Sequence, residues 1–341
     1  MDSPKSLWSD LPLTAGIATL VCYAGVFNDV IGVEEVAARL GVPRDRGFSQ
    51  ALDDLVRQGK VIVQDGFAGL PGLEEQLAAK AGKIATARRL IQSRLGCLRR
   101  LGMSPIIEFV GISGSLAAGN PVRDQENHLD LDVFLITRHQ YLWLCRILLG
   151  FRHLFDWREP EPELCVNYIM DAAYLMVINR NFYTATDIRN LIPVTGIDTY
   201  RRFLQANRWV DYYYPGLSGS PAPDRAPARG RLISKCFFVI YAVLRTIKWR
   251  DMGILRKLSF KEDLRGGVGL ELHAPAHGGY QALVQKKFRR LAETCFPELL
   301  HAGLIERMFP DELGVAIEGG NSDLAALMAV TNIGPGYRKY A

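Results

Sequence analysis

Nowhere in the 341 residues do two cysteines stand at CxxC spacing. The six cysteines, Cys22, Cys97, Cys145, Cys165, Cys236 and Cys295, lie far apart, mostly in apolar runs. Neither a zinc site nor a redox pair is indicated, and buried free thiols in a reducing compartment are expected. Long hydrophobic runs are also missing. The most apolar stretch, CFFVIYAVL at 236–244, is closed off by Lys235 and Arg245. It falls short of the roughly 20 residues a membrane span needs, and it reads as a buried helix. The opening MDSPKSLWSD has no basic start followed by an apolar run, so no signal peptide is expected and a cytoplasmic location follows. There is no large charge excess either. A net charge of +5 favours the approach of an anion without singling out nucleic acid.

What is present is ordinary globular material, 48% hydrophobic and 23% charged, at a length suited to two or three domains. Residues 1–72 read as a small domain of three helices, over 13–26, 33–40 and 48–58. A hairpin, 61–63 and 67–70, then turns on Asp65-Gly66. That order is winged-helix-like. The third helix, FSQALDDLVRQ, carries two aspartates and a single arginine, so a structural or protein-contact role is favoured over DNA reading.

A basic helix-like segment links this unit to the next, over 73–104, with Lys80, Lys83, Arg88, Arg89, Arg94, Arg99 and Arg100. A solvated face is expected there, with a polyphosphate contact as the lesser reading. The core follows at 105–214. The stretch 215–230, PGLSGSPAPDRAPARG, reads as a linker, and 231–341 as a mostly helical C-terminal region.

The chemistry gathers in the core. IIEFVGI at 106–112 reads as a buried strand, followed at once by Ser113-Gly114-Ser115 and a short helix start. A Gly-Ser turn after a strand presents backbone N–H groups to an anion, and a missing side chain lets phosphate come close. After a polar loop comes LDLDVFLI at 129–136. Asp130 and Asp132, two apart on a strand, point to one face. Neighbouring carboxylates repel, and a hard divalent cation removes the conflict.

With those residues in place, GISGSLAAGN followed by LDLDVFLIT resembles the hG[GS]…Dh[DE]h signature of the polymerase beta-like nucleotidyltransferases. The sharp part of the resemblance covers Pro105 to Thr137. A looser part runs through CVNYIM and YTATDIRNLIPVTG to Asn207-Arg208-Trp209. The closer likeness is to bacterial members with an N-terminal winged-helix-like region and a helical C-terminal region.

The resemblance implies an α+β fold: a mixed-sheet nucleotidyltransferase core flanked by those two regions. It implies Gly114 and Ser115 on the phosphates of a nucleoside triphosphate, and Asp130 and Asp132 on two Mg²⁺ ions. A nucleoside monophosphate would pass to an acceptor hydroxyl with release of pyrophosphate. The acceptor is left open between a small molecule, a protein and a nucleic-acid end.

The family also has a third carboxylate on a later strand, and here the sequence departs from it. LCVNYIM at 164–170 places Asn167 where Asp is expected, and strand alternation puts Glu163, Cys165, Asn167, Ile169 and Asp171 on one face. Asn167 is therefore the third candidate catalytic residue, with Glu163 or Asp171 able to substitute if the strand is shifted. Two other readings stay open: a catalytically degenerate nucleotide-binding scaffold, and a winged-helix DNA-binding regulator.

Lesser candidates are weaker. His273 and His277 stand four apart, but Pro275 between them argues against a helical metal pair. Lys286, Lys287, Arg289 and Arg290 around Phe288 fit a solvated helix face better than an RNA patch. Tyr212, Tyr213 and Tyr214 fit packing better than base stacking.

Overall fold

The structure is a computed structural model that describes residues 5–123, 129–154, 162–177, 179–219, 262–263, 272–275, 278–301 and 303–310. The apolar 236–244 stretch, most of the 215–230 linker and the chain after 310 lie outside those residues.

Helix α1 (Leu13–Val26) is buried along most of its length, as its small and apolar composition requires. Helix α2 (Val33–Leu40) ends on Gly41 in the left-handed conformation. Helix α3 (Arg46–Arg57) starts two residues before the expected Phe48, because Asp45 caps it by accepting a hydrogen bond from the Phe48 N–H. Strands β2 (Ile62–Gln64) and β3 (Phe67–Gly69) form the hairpin, with Asp65 and Gly66 both at positive φ as a tight two-residue turn demands. A two-residue strand β1 (Ile31–Gly32) completes a small sheet of order β1-β3-β2.

Helix α4 (Glu74–Gly102) is a 29-residue rod joining this unit to the main sheet. Its expected solvated basic face exists at Arg88, Arg89, Arg99 and Arg100, but Lys80 and Arg94 are buried. Lys80 leaves solvent because its ammonium meets Asp29 at 2.7 Å.

The main sheet has the order β7-β4-β5-β6-β9-β8. Its members are β4 (Ile107–Ile112), β5 (Asp130–Thr137), β6 (Glu163–Asp171), β7 (Ile192–Thr195), β8 (Glu262–Asp263) and β9 (Leu272–Pro275). Helix α5 (Gly114–Ala117) follows β4, and α6 (Leu142–Leu154) makes the crossover that lets β5 and β6 run parallel. The other pairings, β4 with β5 and β7, and β6 with β9, are antiparallel. The sheet is therefore mixed and the fold α+β.

Helices α7 (Phe182–Asn190) and α8 (Ile197–Ala206) follow β6, and α9 (Gly278–Cys295), α10 (Glu298–His301) and α11 (Leu304–Met308) close the described chain. Beyond residue 230 a mostly helical region was expected. There β8 and β9 are strands, the latter bonded to β6.

The sheet separates two apolar clusters. Val110, Ile112, Leu131, Val133 and Leu135 pack with Ala87 and Leu98 of α4 and with Leu142 and Trp143 of α6. Phe109, Phe134, Ile136 and Met170 pack on the opposite side with α1, α7, α8 and α9. Tyr213 and Tyr214 are buried in this second cluster, and the Trp8 indole donates to the Tyr213 carbonyl at 2.6 Å. Among the described residues no helix is long and apolar enough to cross a membrane.

Candidate functional site

Strand β4 delivers the chain to Gly114, whose φ of +69° belongs to the left-handed region. The turn is pinned to β5 by the Ser113 N–H donating to the Asp132 carbonyl at 2.9 Å. It lies so close to that strand that a Cβ on Gly114 would stand 1.8 Å from Oδ2 of Asp132. Asp130 and Asp132 are half-buried, while Leu131 and Val133 between and beyond them are fully buried on the opposite face. Alternation along β5 thus aims both carboxylates away from the α4 side. Burial, reinforced by the charge of Asp130, pushes the Asp132 carboxyl up to about 7.

Strand β6 runs beside them, with Glu163 paired to Asp130 and Cys165 to Asp132. Val166 pairs with Val133 but Tyr168 pairs with Phe134, so Asn167 is the extra residue of a β-bulge. The expectation that Glu163, Cys165, Asn167, Ile169 and Asp171 share a face is corrected by this insertion. One extra residue exchanges the two faces of everything that follows. Tyr168 accordingly stacks on Phe134, with centroids 4.7 Å apart, and Ile169 joins the α4-side cluster.

Asp171, offered as a substitute carboxylate, lies fully buried at the far end of β6. There it accepts from the Gln140 and Ala173 backbone N–H groups at 2.6 and 2.8 Å and meets His139 Nδ1 at 3.0 Å. It organises the strand end and does not reach Asp132. Glu163 is exposed on the Asp130 rung. Of the cysteines expected as buried thiols, Cys22 and Cys145 are buried, Cys97 and Cys295 half-buried and Cys165 exposed.

The carboxylate that sequence reasoning missed is Asp187. It sits half-buried on α7, a helix that packs against α5 and is capped by Asn181, which accepts from the Thr184 N–H at 3.0 Å. Burial and then the charge of Asp132 push its carboxyl up to about 7, and a hydrogen bond with Tyr183 works the other way. Its neighbours Phe182, Tyr183, Ala185, Thr186 and Ile188 are all buried. An acidic residue in such a helix was the signal available in the sequence.

The loop after α5 is held from α4. The Lys83 ammonium donates to Asn120 Oδ1 at 3.0 Å, and the Asn120 N–H donates to the Ser115 carbonyl at 3.0 Å. Lys80 reaches the Gly119 carbonyl at 3.4 Å. The Gly114-Ser115 turn is thereby fixed at both ends, from β5 and from α4.

His273 lies on β9, where Pro275 allows a strand, and His277 falls outside the described residues. Lys286, Lys287, Arg289 and Arg290 are exposed around a fully buried Phe288, as a solvated helix face requires.

Among the described residues no group of three or more His, Cys, Asp or Glu side chains could hold a metal ion unaided. Mg²⁺, however, is usually bound by one or two carboxylates together with substrate phosphates. Two adjacent carboxylates, one of them held up to about 7, beside a turn in which Gly114 has no side chain, suit that arrangement. Comparison with known proteins adds no relative: no family model, no curated protein and no solved structure matches the chain.

Proposed function

We propose that the chain is a Mg²⁺-dependent nucleotidyltransferase of the polymerase beta-like kind, with a winged-helix-like unit at its N-terminus. The observation that carries this reading is the contact between Gly114 and Asp132: a bare backbone turn pressed against one of two adjacent carboxylates. A phosphate and a divalent cation need those two surfaces side by side.

In this reading the Gly114 and Ser115 turn receives the phosphates of a nucleoside triphosphate, and the Ser115 hydroxyl adds a donor. Asp130 and Asp132 would hold the cation. When bound, it neutralises charge growing on the attacking and leaving oxygens of an in-line displacement at the α-phosphate. The acceptor hydroxyl gives its proton to water as its oxygen forms the new ester bond, and the bond to pyrophosphate breaks. The fixed turn and the carboxylates supply positioning and electrostatics, which dominate phosphoryl-transfer catalysis. Asp187, which feels the charge of Asp132, offers a further carboxylate from a helix, and Glu163 of β6 stands on the Asp130 rung as the other candidate.

The DNA-regulator reading gains little. The exposed side of α3 carries Asp53 together with Arg46 and Arg57, and Arg57 is paired with Asp54. Such a face has no surplus of positive charge for a phosphate backbone.

The test is calorimetric titration of each nucleoside triphosphate with Mg²⁺ into the wild type and an Asp130→Ala, Asp132→Ala variant. Metal-dependent binding lost in the variant, with pyrophosphate release once an acceptor is supplied, is the expected result. Binding that survives the double substitution places the nucleotide elsewhere. Binding without turnover on any acceptor favours the scaffold reading, in which Asn167 stands where the family pattern has a carboxylate.

A further inference from the structure

From Gln76 to Gly102, α4 contains seven basic residues and no acidic one. Two of the seven, Lys80 and Arg94, are buried, and Lys83 is spent on Gln76 and Asn120. The other four, Arg88, Arg89, Arg99 and Arg100, are all exposed. Helical geometry makes them one surface. Arg89, Ser93, Gly96 and Arg100 follow at intervals of four, three and four, and Arg88, Gln92 and Arg99 run beside them. Every one of these seven positions is exposed, and nothing lies within 4 Å of where a Cβ on Gly96 would be. Among the described residues none of the four arginines is paired with a carboxylate. Arg89 makes one hydrogen bond, to Thr86 Oγ1 at 3.2 Å.

The opposite side of the helix is occupied by Ala87, Leu90, Ile91, Leu98 and Leu101 packed on the sheet, so its orientation is fixed. Packing of this helix on the sheet does not need four arginines on its outer side. The stripe also starts close to the site: Ile84, one turn before Arg88, lies 3.1 Å from a Cβ built on Gly119, in the loop that follows the Gly-Ser turn.

We infer that this stripe binds the phosphodiester backbone of a nucleic-acid strand, the acceptor whose end enters the site. The role as acceptor rests on the nucleotidyltransferase reading; the binding itself does not. From Arg88 to Arg100 the stripe is about 18 Å long at about 1.5 Å per residue, the span of several phosphates. Arginine presents a planar donor fork that suits phosphate oxygens. The small and polar residues between the two arginine pairs, Gln92, Ser93 and Gly96, leave room for a backbone to lie along the helix. Arginines spaced along one helix face meet the backbone phosphates first, so binding depends steeply on salt.

The experiment is fluorescence anisotropy with labelled 20-nucleotide single-stranded RNA, single-stranded DNA and duplex DNA. The full chain is compared with a variant carrying Arg88→Gln, Arg89→Gln, Arg99→Gln and Arg100→Gln together. The wild type binds at least one of the three, and the variant binds it at least about tenfold more weakly at 100 mM salt. Its slope of log K against log salt falls by about 3 if each arginine neutralises one single-strand phosphate. Mg²⁺-nucleotide binding stays unchanged in the variant, which shows that it is folded. Asp132→Ala shows the converse pattern, keeping the oligonucleotide and losing the nucleotide. If the wild type binds no nucleotide while the oligonucleotide still depends on the stripe, the enzyme reading fails and the stripe stands. An unchanged affinity and salt slope in the quadruple variant overturns the inference. So does a wild type that ignores all three oligonucleotides, or that binds only phosphatidylserine vesicles.

Discussion

A methyl group on Gly114 would stand 1.8 Å from Oδ2 of Asp132, so the turn and the carboxylate occupy positions that only glycine permits. Two costs coincide at this residue. The backbone is left-handed, with φ at +69°, and the space is already taken. Gly114→Ala is expected to cost about 1–3 kcal/mol of stability from backbone strain, with the Asp132 side chain displaced as well. The measurement is a urea midpoint together with Mg²⁺-nucleotide titration, and nucleotide binding is expected to fall more than tenfold. Gly114→Ala combined with Asp132→Ala relieves the steric part only, so stability recovers in part and binding does not. Two independent losses would show that the turn and the carboxylate do not act as a unit.

Asp132 and Asp187 predict how stability depends on pH when no cation is bound. Both carboxyls are pushed up to about 7, Asp132 by burial and Asp130, Asp187 by burial and Asp132. An unfolded chain returns them to about 4. Between those values the native state holds more protons than the unfolded state. Their contribution is therefore fully present below about pH 4 and lost as pH rises through about 7. Because the two interact, the slope belongs to the pair. Thermal melts in chelator from pH 5 to 8 are expected to show falling Tm. Asp132→Asn removes much of the fall, and millimolar Mg²⁺ raises Tm at pH 8 in the wild type but not in the variant. A flat wild-type profile would count against two strained carboxylates at this position.

Much of this arrangement was legible beforehand because it depends on local rules. Alternation at period two set Asp130 and Asp132 on one face of an otherwise apolar strand, and Asp65-Gly66 announced its hairpin. The bulge at Asn167 was not legible for a physical reason. A bulge adds one residue through the pairing of two strands, and nothing in LCVNYIM marks where the ladder slips. The short strands β1, β8 and β9 likewise exist only through their partners, with two to four residues each. Asp187 was hidden because its proximity to Asp132 depends on how α7 returns over α5. Lys80 read as solvated because its partner, Asp29, is 51 residues away.

That pair carries the last prediction. Lys80 Nζ and Asp29 Oδ2 are 2.7 Å apart with side chains only 5% and 12% exposed, and the second oxygen of Asp29 is buried without a hydrogen-bond partner. Removing one member leaves an unpaired charge in the protein interior, which typically costs about 3–5 kcal/mol. Replacing both with apolar groups of similar shape removes the charge and its desolvation penalty together. Lys80→Met alone is therefore expected to lower the urea midpoint sharply, and Lys80→Met with Asp29→Leu to restore most of it.

The pair does more than pack, because the same ammonium reaches the Gly119 carbonyl in the loop after the Gly-Ser turn. The double variant should thus regain stability while its nucleotide affinity stays below that of the wild type. Equal recovery of both would mean that Lys80 only closes the seam between the N-terminal unit and α4. Recovery of stability alone would mean that the N-terminal unit helps to hold the Gly114-Ser115 turn in place.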